Sequence, residues 1–257
     1  MLQTIKRWFT RGGLPGEWAA VEDWADARGH QFRRSREGNG FVIDGGELPL
    51  RWRLEWGPSQ RAYITGHELR LRGELGPVEL QLLLLSRSLV ESMEKEVFEQ
   101  YTEDLQTRVD TATPEEMRWL VLFQKLPGQD LKSLRDSFAA VGPTPRWLLQ
   151  WLDGPLTLQL QQARSGWLAP ADPFVLIAHR GRLTLRTQCA EPDLQRLTAA
   201  LSLFQVALRE ALRIAELWTD QSMASTQPSL WSNSAPGYLD TPASGPATEE
   251  TGPVTKP

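Results

Sequence analysis

Arg33, Arg34 and Arg36 form the densest basic cluster in the chain. Guanidinium groups so close together can hold a phosphate or carboxylate through paired N–H donors, which makes these three the candidate anion-binding residues. The competing reading is structural. Phe32 is the one aromatic beside them, and Gly38, Asn39 and Gly40 follow as a turn signal, so the arginines also fit a solvated hairpin arm.

A second candidate lies at the start of the chain. Leu2, Ile5, Trp8 and Phe9 can share one helical face with Lys6, Arg7 and Arg11 around it. Such a segment can lie on a membrane surface or dock on a partner. A short N-terminal helix packing its tryptophan on the body is the plainer reading, because a few residues bury little area before Gly12 and Gly13 end the segment.

The remaining reactive side chains do not gather into a motif. His30, His67 and His179 lack the HxxxH, HxH and HExxH spacings of metal ligands, and two of them stand beside turn residues. No Gly-x-Ser-x-Gly elbow occurs, and Gly38 and Gly40 lack the third glycine and the helix of a dinucleotide loop. Glu94 with Glu96, and Glu115 with Glu116, fall on expected helices, where a solvated face and the N-terminal dipole account for them. Cys189 follows an apolar strand as a small, half-buried residue. The expectation is a chain that is not an enzyme and has no cofactor or metal.

The elements that must position these residues are plainer. Glu17 to Arg28 reads as a helix closed by Gly29, followed by a strand over Phe41 to Ile43. Leu50, Trp52, Leu54 and Trp56 alternate with Arg51, Arg53 and Glu55, the clearest strand of the chain. Strands are also expected over Arg61 to Thr65, Glu68 to Leu75 and from Val78, with a turn at Gly66 and His67. From Ser86 the period becomes helical through Leu89, Val90, Met93, Val97, Phe98, Tyr101 and Leu105.

After a junction at Asp110 to Pro114, Thr113, Pro114 and Glu116 make a helix-start pattern. Residues 118–124 fit helix or strand. Leu131 to Ala140 and Trp147 to Leu152 read as helices, and strands are expected at Leu156 to Leu160, Phe174 to Ile177 and Arg182 to Arg186. A long helix then runs from Glu191 to Trp218. Its Leu194, Leu197, Leu201, Phe204 and Leu208 seam fits a coiled-coil homo-oligomer, while Leu203, Val206 and Ile214 widen the stripe as for a helix lying on a sheet.

The fold class expected is therefore α+β: antiparallel β-meanders, each packed against a following long helix, in two similar halves that fit a pseudo-repeat. The organisation is an amphipathic segment at 1–12, α+β units at 13–112 and 113–218, and a disordered tail at 219–257, where Ser, Thr, Pro and Gly dominate.

The chain has 257 residues, 40% of them hydrophobic, with 11 Trp, which is ample for a core. A net charge of -4 weighs against nucleic acid as partner, and one cysteine forbids an internal disulfide. No apolar run reaches the ~18 residues of a membrane span, and no signal-peptide core follows Met1, so a cytoplasmic chain is expected. Arginine outnumbers lysine, as in a GC-rich bacterial genome. These readings lead to a protein-binding or adaptor protein of the bacterial cytoplasm. The alternatives are a small-ligand or anion sensor using Arg33, Arg34 and Arg36, or a peripheral membrane protein held by its first segment.

Overall fold

The computed structural model describes residues 18–103 and 114–225. The N-terminal candidates Leu2, Ile5, Trp8 and Phe9 and the expected tail beyond Ser225 lie outside them.

Helix α1 (Ala19–Ala27) ends as its sequence dictates. Gly29 takes φ +70°, its N–H donates to Asp26 and the His30 N–H reaches back to Ala25, a Schellman close. Strands β1 (Gln31–Arg34), β2 (Phe41–Gly45), β3 (Trp52–Pro58) and β4 (His67–Glu74) follow as a meander, and β5 (Leu82–Ser86) runs straight into α2 (Arg87–Glu103). Then come α3 (Glu115–Leu122), a short α4 (Gly128–Leu131) with a 3-10 turn, β6 (Phe138–Val141), α5 (Pro145–Leu152) and α6 (Pro155–Ser165). Strands β7 (Phe174–His179) and β8 (Arg182–Gln188) precede the long α7 (Leu194–Ser225). The fold class is α+β, as the alternation implied.

All eight strands belong to one antiparallel sheet in the order β1-β2-β3-β4-β8-β7-β5-β6. Strands from the two expected units are thus hydrogen-bonded to one another: β4 pairs β8, and β5 sits between β7 and β6.

One face is apolar from edge to edge. The row Phe32, Ile43, Leu54, Leu71, Leu185, Leu176, Leu84 and Ala140 crosses every strand. It packs on Trp18 and Val21 before and on α1, Trp151 of α5, Leu160 of α6, and Phe204 and Leu208 of α7. Gly73 lets α7 approach, because a Cβ there would meet the Leu208 methyls at 2.8 and 2.9 Å. The Leu197, Leu201, Phe204 and Leu208 seam is consequently buried within the chain.

Several expected elements change. Leu156 to Leu160, expected as a strand, is the start of helix α6. Its alternating leucines fit both periods over so short a window. Pro155 at the first helical position settles the matter, and Leu156, Leu160 and Ala163 face inward while Leu158 is 59% exposed. The strand-by-strand correspondence between halves loses that member.

Leu131 to Ala140 is not one helix: it breaks after Leu134, and Phe138 to Val141 becomes β6, apolar on both faces and therefore without alternation. Arg61 to Thr65 is a loop, because Ser59 accepts the Arg61 N–H and its own N–H closes on the Gly66 carbonyl. Residues 115–122 are helix, starting one residue later than the sequence pattern with Pro114 as cap. α7 continues to Ser225, past the expected end at Trp218.

Candidate functional site

The second sheet face changes character along its rows. One row reads Arg33, Val42, Glu55, Arg70, Arg186, then Val175, Leu85 and Ala139. The next reads Gln31, Asp44, Arg53, Arg72, Thr184, then Ile177, Leu83 and Val141. Both turn from polar to apolar between β8 and β7. The apolar half is roofed by Leu89, Val90 and Met93 of α2 and by Met117 and Trp119 of α3. The polar half keeps Arg33, Arg53 and Arg182 about half exposed to solvent.

Where the polar half meets the roof, its charges are buried and paired. Glu68 accepts from Arg70 Nη1 at 2.8 Å and from Arg186 Nη1 at 2.8 and 3.0 Å. Arg70 also donates to Glu55 through Nε at 2.8 Å and contacts Gln60. All three of Glu68, Arg70 and Arg186 are buried. The loop between β3 and β4 crosses this end of the face and is tied down by Glu116, which accepts from Arg61 Nε at 2.9 Å and from the Tyr63 hydroxyl.

Burial would raise the Glu116 carboxyl. The hydrogen bonds from Tyr63 and the backbone, together with the Arg61 charge, outweigh it and hold the group below the usual glutamate value. Burial, then the Glu116 charge and hydrogen bond, push the Tyr63 hydroxyl far above the usual tyrosine value. Glu116 is thus buried rather than on a solvated helix face, as the sequence suggested. Its neighbour Glu115 lies 3.0 Å from His179 Nε2, whose ring meets Trp119 edge-on.

Beyond Arg70 the pairing thins out. Arg53 grips Asp44 with Nε at 2.7 Å and Nη2 at 3.2 Å, and Arg33 reaches the same carboxylate. Arg182 Nε meets Glu74 at 3.1 Å. Among the described residues Arg72 has its nearest carboxylate, Glu55, at 3.9 Å. Burial first, then the Arg70 charge, push Arg72 below the usual arginine value against the pull of Glu55, with Arg186 and Arg182 adding to the lowering. On the other flank a cleft of about 370 Å³ opens between the β1–β2 turn and the β3–β4 loop, lined by Glu37, Asn39, Glu55, Gln60 and Arg70.

The three arginines singled out by sequence are not brought together. Arg33 faces the open side, whereas Arg34 points to the other, 3.4 Å from Glu22 and over the Trp18 ring at 5.5 Å. Arg36 lies in the exposed turn. The arginines that do share a face with Arg33, namely Arg53, Arg70, Arg72, Arg182 and Arg186, show in the sequence only as polar positions of separate strands. Cys189 is fully buried, its carbonyl accepting from Trp56 Nε1 at 2.8 Å, and burial raises its thiol. His67 stacks on the Trp56 ring. Among the described residues no group of His, Cys, Asp and Glu could hold a metal ion, and no helix is long and apolar enough to cross a membrane.

The class these features define is an α+β fold with one roofed and one half-open sheet face. No protein-family model, curated protein or solved structure matches the chain.

Proposed function

We propose that this chain is a non-enzymatic adaptor of the cytoplasm that docks an acidic segment of a partner protein on the open, arginine-bearing half of its sheet. The observation that carries the reading is the change within the two rows, apolar beneath α2 and α3 and charged beyond them. The opposite face is apolar throughout, whereas on this one the half beyond the roof is left to solvent and is therefore open to a partner. Arginine gathers here although the whole chain carries a net charge of -4, so the local charge is complementary to an acidic partner rather than a reflection of composition. Asp44 and Glu74 hold Arg53 and Arg182 in place without covering them, which lowers the entropy cost of engaging them. The buried thiol of Cys189 suits a reducing compartment.

Fluorescence polarisation with a labelled peptide rich in Asp and Glu tests this, with a Lys-rich peptide as control. The acidic peptide binds, its affinity falls with added salt, and the double reversal Arg53→Glu with Arg182→Glu abolishes binding; it lowers Tm, since each glutamate then faces Asp44 or Glu74, but keeps the folded far-UV circular dichroism spectrum. Equal binding of both peptides, or an acidic peptide indifferent to the reversal, rejects the reading.

A further inference from the structure

Two pairs of arginines stand directly opposite each other on this face: Arg70 with Arg186 across β4 and β8, and Arg53 with Arg72 across β3 and β4. Like charges in such positions lie about 4.5–5.5 Å apart at Cβ and destabilise a sheet unless something neutralises them. The first pair is neutralised from within, because the Glu68 carboxylate bridges it, accepting from both guanidiniums at 2.8 Å. Among the described residues the second pair has no such bridge. Asp44 is spent on Arg53 and Arg33, and Glu55, committed to Arg70, comes no nearer to Arg72 than 3.9 Å.

Resting on the docking reading above, we infer that the place between Arg53 and Arg72 is a receptor for a phosphoryl group carried by the acidic partner. The bound group plays for this pair the part that Glu68 plays for the other. Thr184, the strand partner of Arg72, stands beside it on the same face, and Arg182 lies one diagonal step away, within reach of a long side chain. Charge favours phosphoryl over carboxylate. Asp44 offsets one of Arg33 and Arg53, Glu74 offsets Arg182, and the Glu55 and Glu68 carboxylates offset Arg70 and Arg186. Among the described residues one of the Arg33–Arg53 pair and Arg72 are left over, matching a group that carries about -1.5 to -2 near neutral pH. The planar fork of arginine suits its oxygens.

The test uses the full chain and three forms of one acidic peptide, carrying phosphoserine, serine or glutamate at a central position, with binding measured by calorimetry. The phosphoserine form binds at least tenfold more tightly than the other two. Arg72→Gln brings all three to the same affinity, Arg72→Lys recovers part of the difference, and Arg146→Gln, on α5 and away from this face, changes nothing. Inorganic phosphate competes with the phosphopeptide and leaves the serine peptide bound. Three peptides of equal affinity, or a phosphoserine preference that survives Arg72→Gln, overturns the receptor while the docking face stands. Failure of all three to bind removes the docking reading as well.

Discussion

Glu116 ties the β3–β4 loop to α3, since it receives both Arg61 and Tyr63. Its carboxyl is held low in the folded protein, so its contribution is full above the unfolded glutamate value of about 4.3 and is lost as pH falls through the folded value. Tyr63 is shifted the other way. Its contribution is full below the unfolded tyrosine value of about 10 and fades as pH rises beyond it. One hydrogen bond thus limits stability on both sides. Glu116→Gln is expected to cost about 1–3 kcal/mol at neutral pH, because the amide oxygen can still accept but no longer carries the charge that meets Arg61. Arg61 is partly solvated, which keeps the loss below that of a fully buried pair. Urea titrations across pH check the assignment: the glutamine variant loses less stability than the parent on acidification, and Tyr63→Phe loses less above pH ~10. Parallel pH profiles for parent and variants would place the linkage elsewhere.

At the scale of elements, Gly73 sets how closely α7 lies on the sheet. Its strand neighbours on the same face are Trp52 and Leu183, and the Leu208 methyls fill the space a Cβ would take. Its φ is not in the left-handed region, so Gly73→Ala is a packing change and not a backbone one. Overpacking of this kind costs about 1–3 kcal/mol. The second variant Gly73→Ala with Leu208→Ala relieves the clash, and the double-mutant cycle returns a favourable coupling. A Tm for Gly73→Ala equal to the parent's would show that the Leu208 methyls turn aside and that Gly73 does not set the approach of α7.

The same scale explains what could be read in advance. Strands with one polar face, β3, β4 and β8, announced themselves by alternation, and α1 and α7 by their three- and four-residue steps. β5 and β6 are buried on both sides and carry no period, so the sequence pattern starts the first too early, at Val78, and reads the second as helix. Of the site, each arginine was legible as an outward residue. Their assembly was not, because the pairing of Arg70 with Arg186 joins positions 116 residues apart through a strand order that no local pattern encodes. Tyr63 and Glu116 meet across a gap of 53 residues with no sequence signal at all.

For the whole molecule, the strand order decides how folding is shared out. A chain ending at residue 112 would keep β1 to β4 but leave the far edge of β4 open and strand β5 with neither neighbour, since β7 and β6 come later. Leu69 and Leu71 would lose Thr187 and Leu185 beside them, and the leucines of β5 would lose both flanks. Apolar surface of that extent, worth roughly 25 cal/mol per Å² when removed from water, would stay exposed along an open strand edge. Fragment 1–112 is therefore expected to show no cooperative urea transition by far-UV circular dichroism, whereas the full chain unfolds in a single one. Mixing it with fragment 113–257 restores the transition, as the two complete one sheet. Cys189 supplies an independent readout, being fully buried between β8 and α7 with its thiol raised by that burial. Its labelling by a thiol reagent follows global opening in the full chain and is fast in fragment 113–257 alone. A sharp transition from fragment 1–112 by itself, with Cys189 protected in the isolated second fragment, would mean that each half closes its own core and that the junction of β4 with β8 adds nothing to stability.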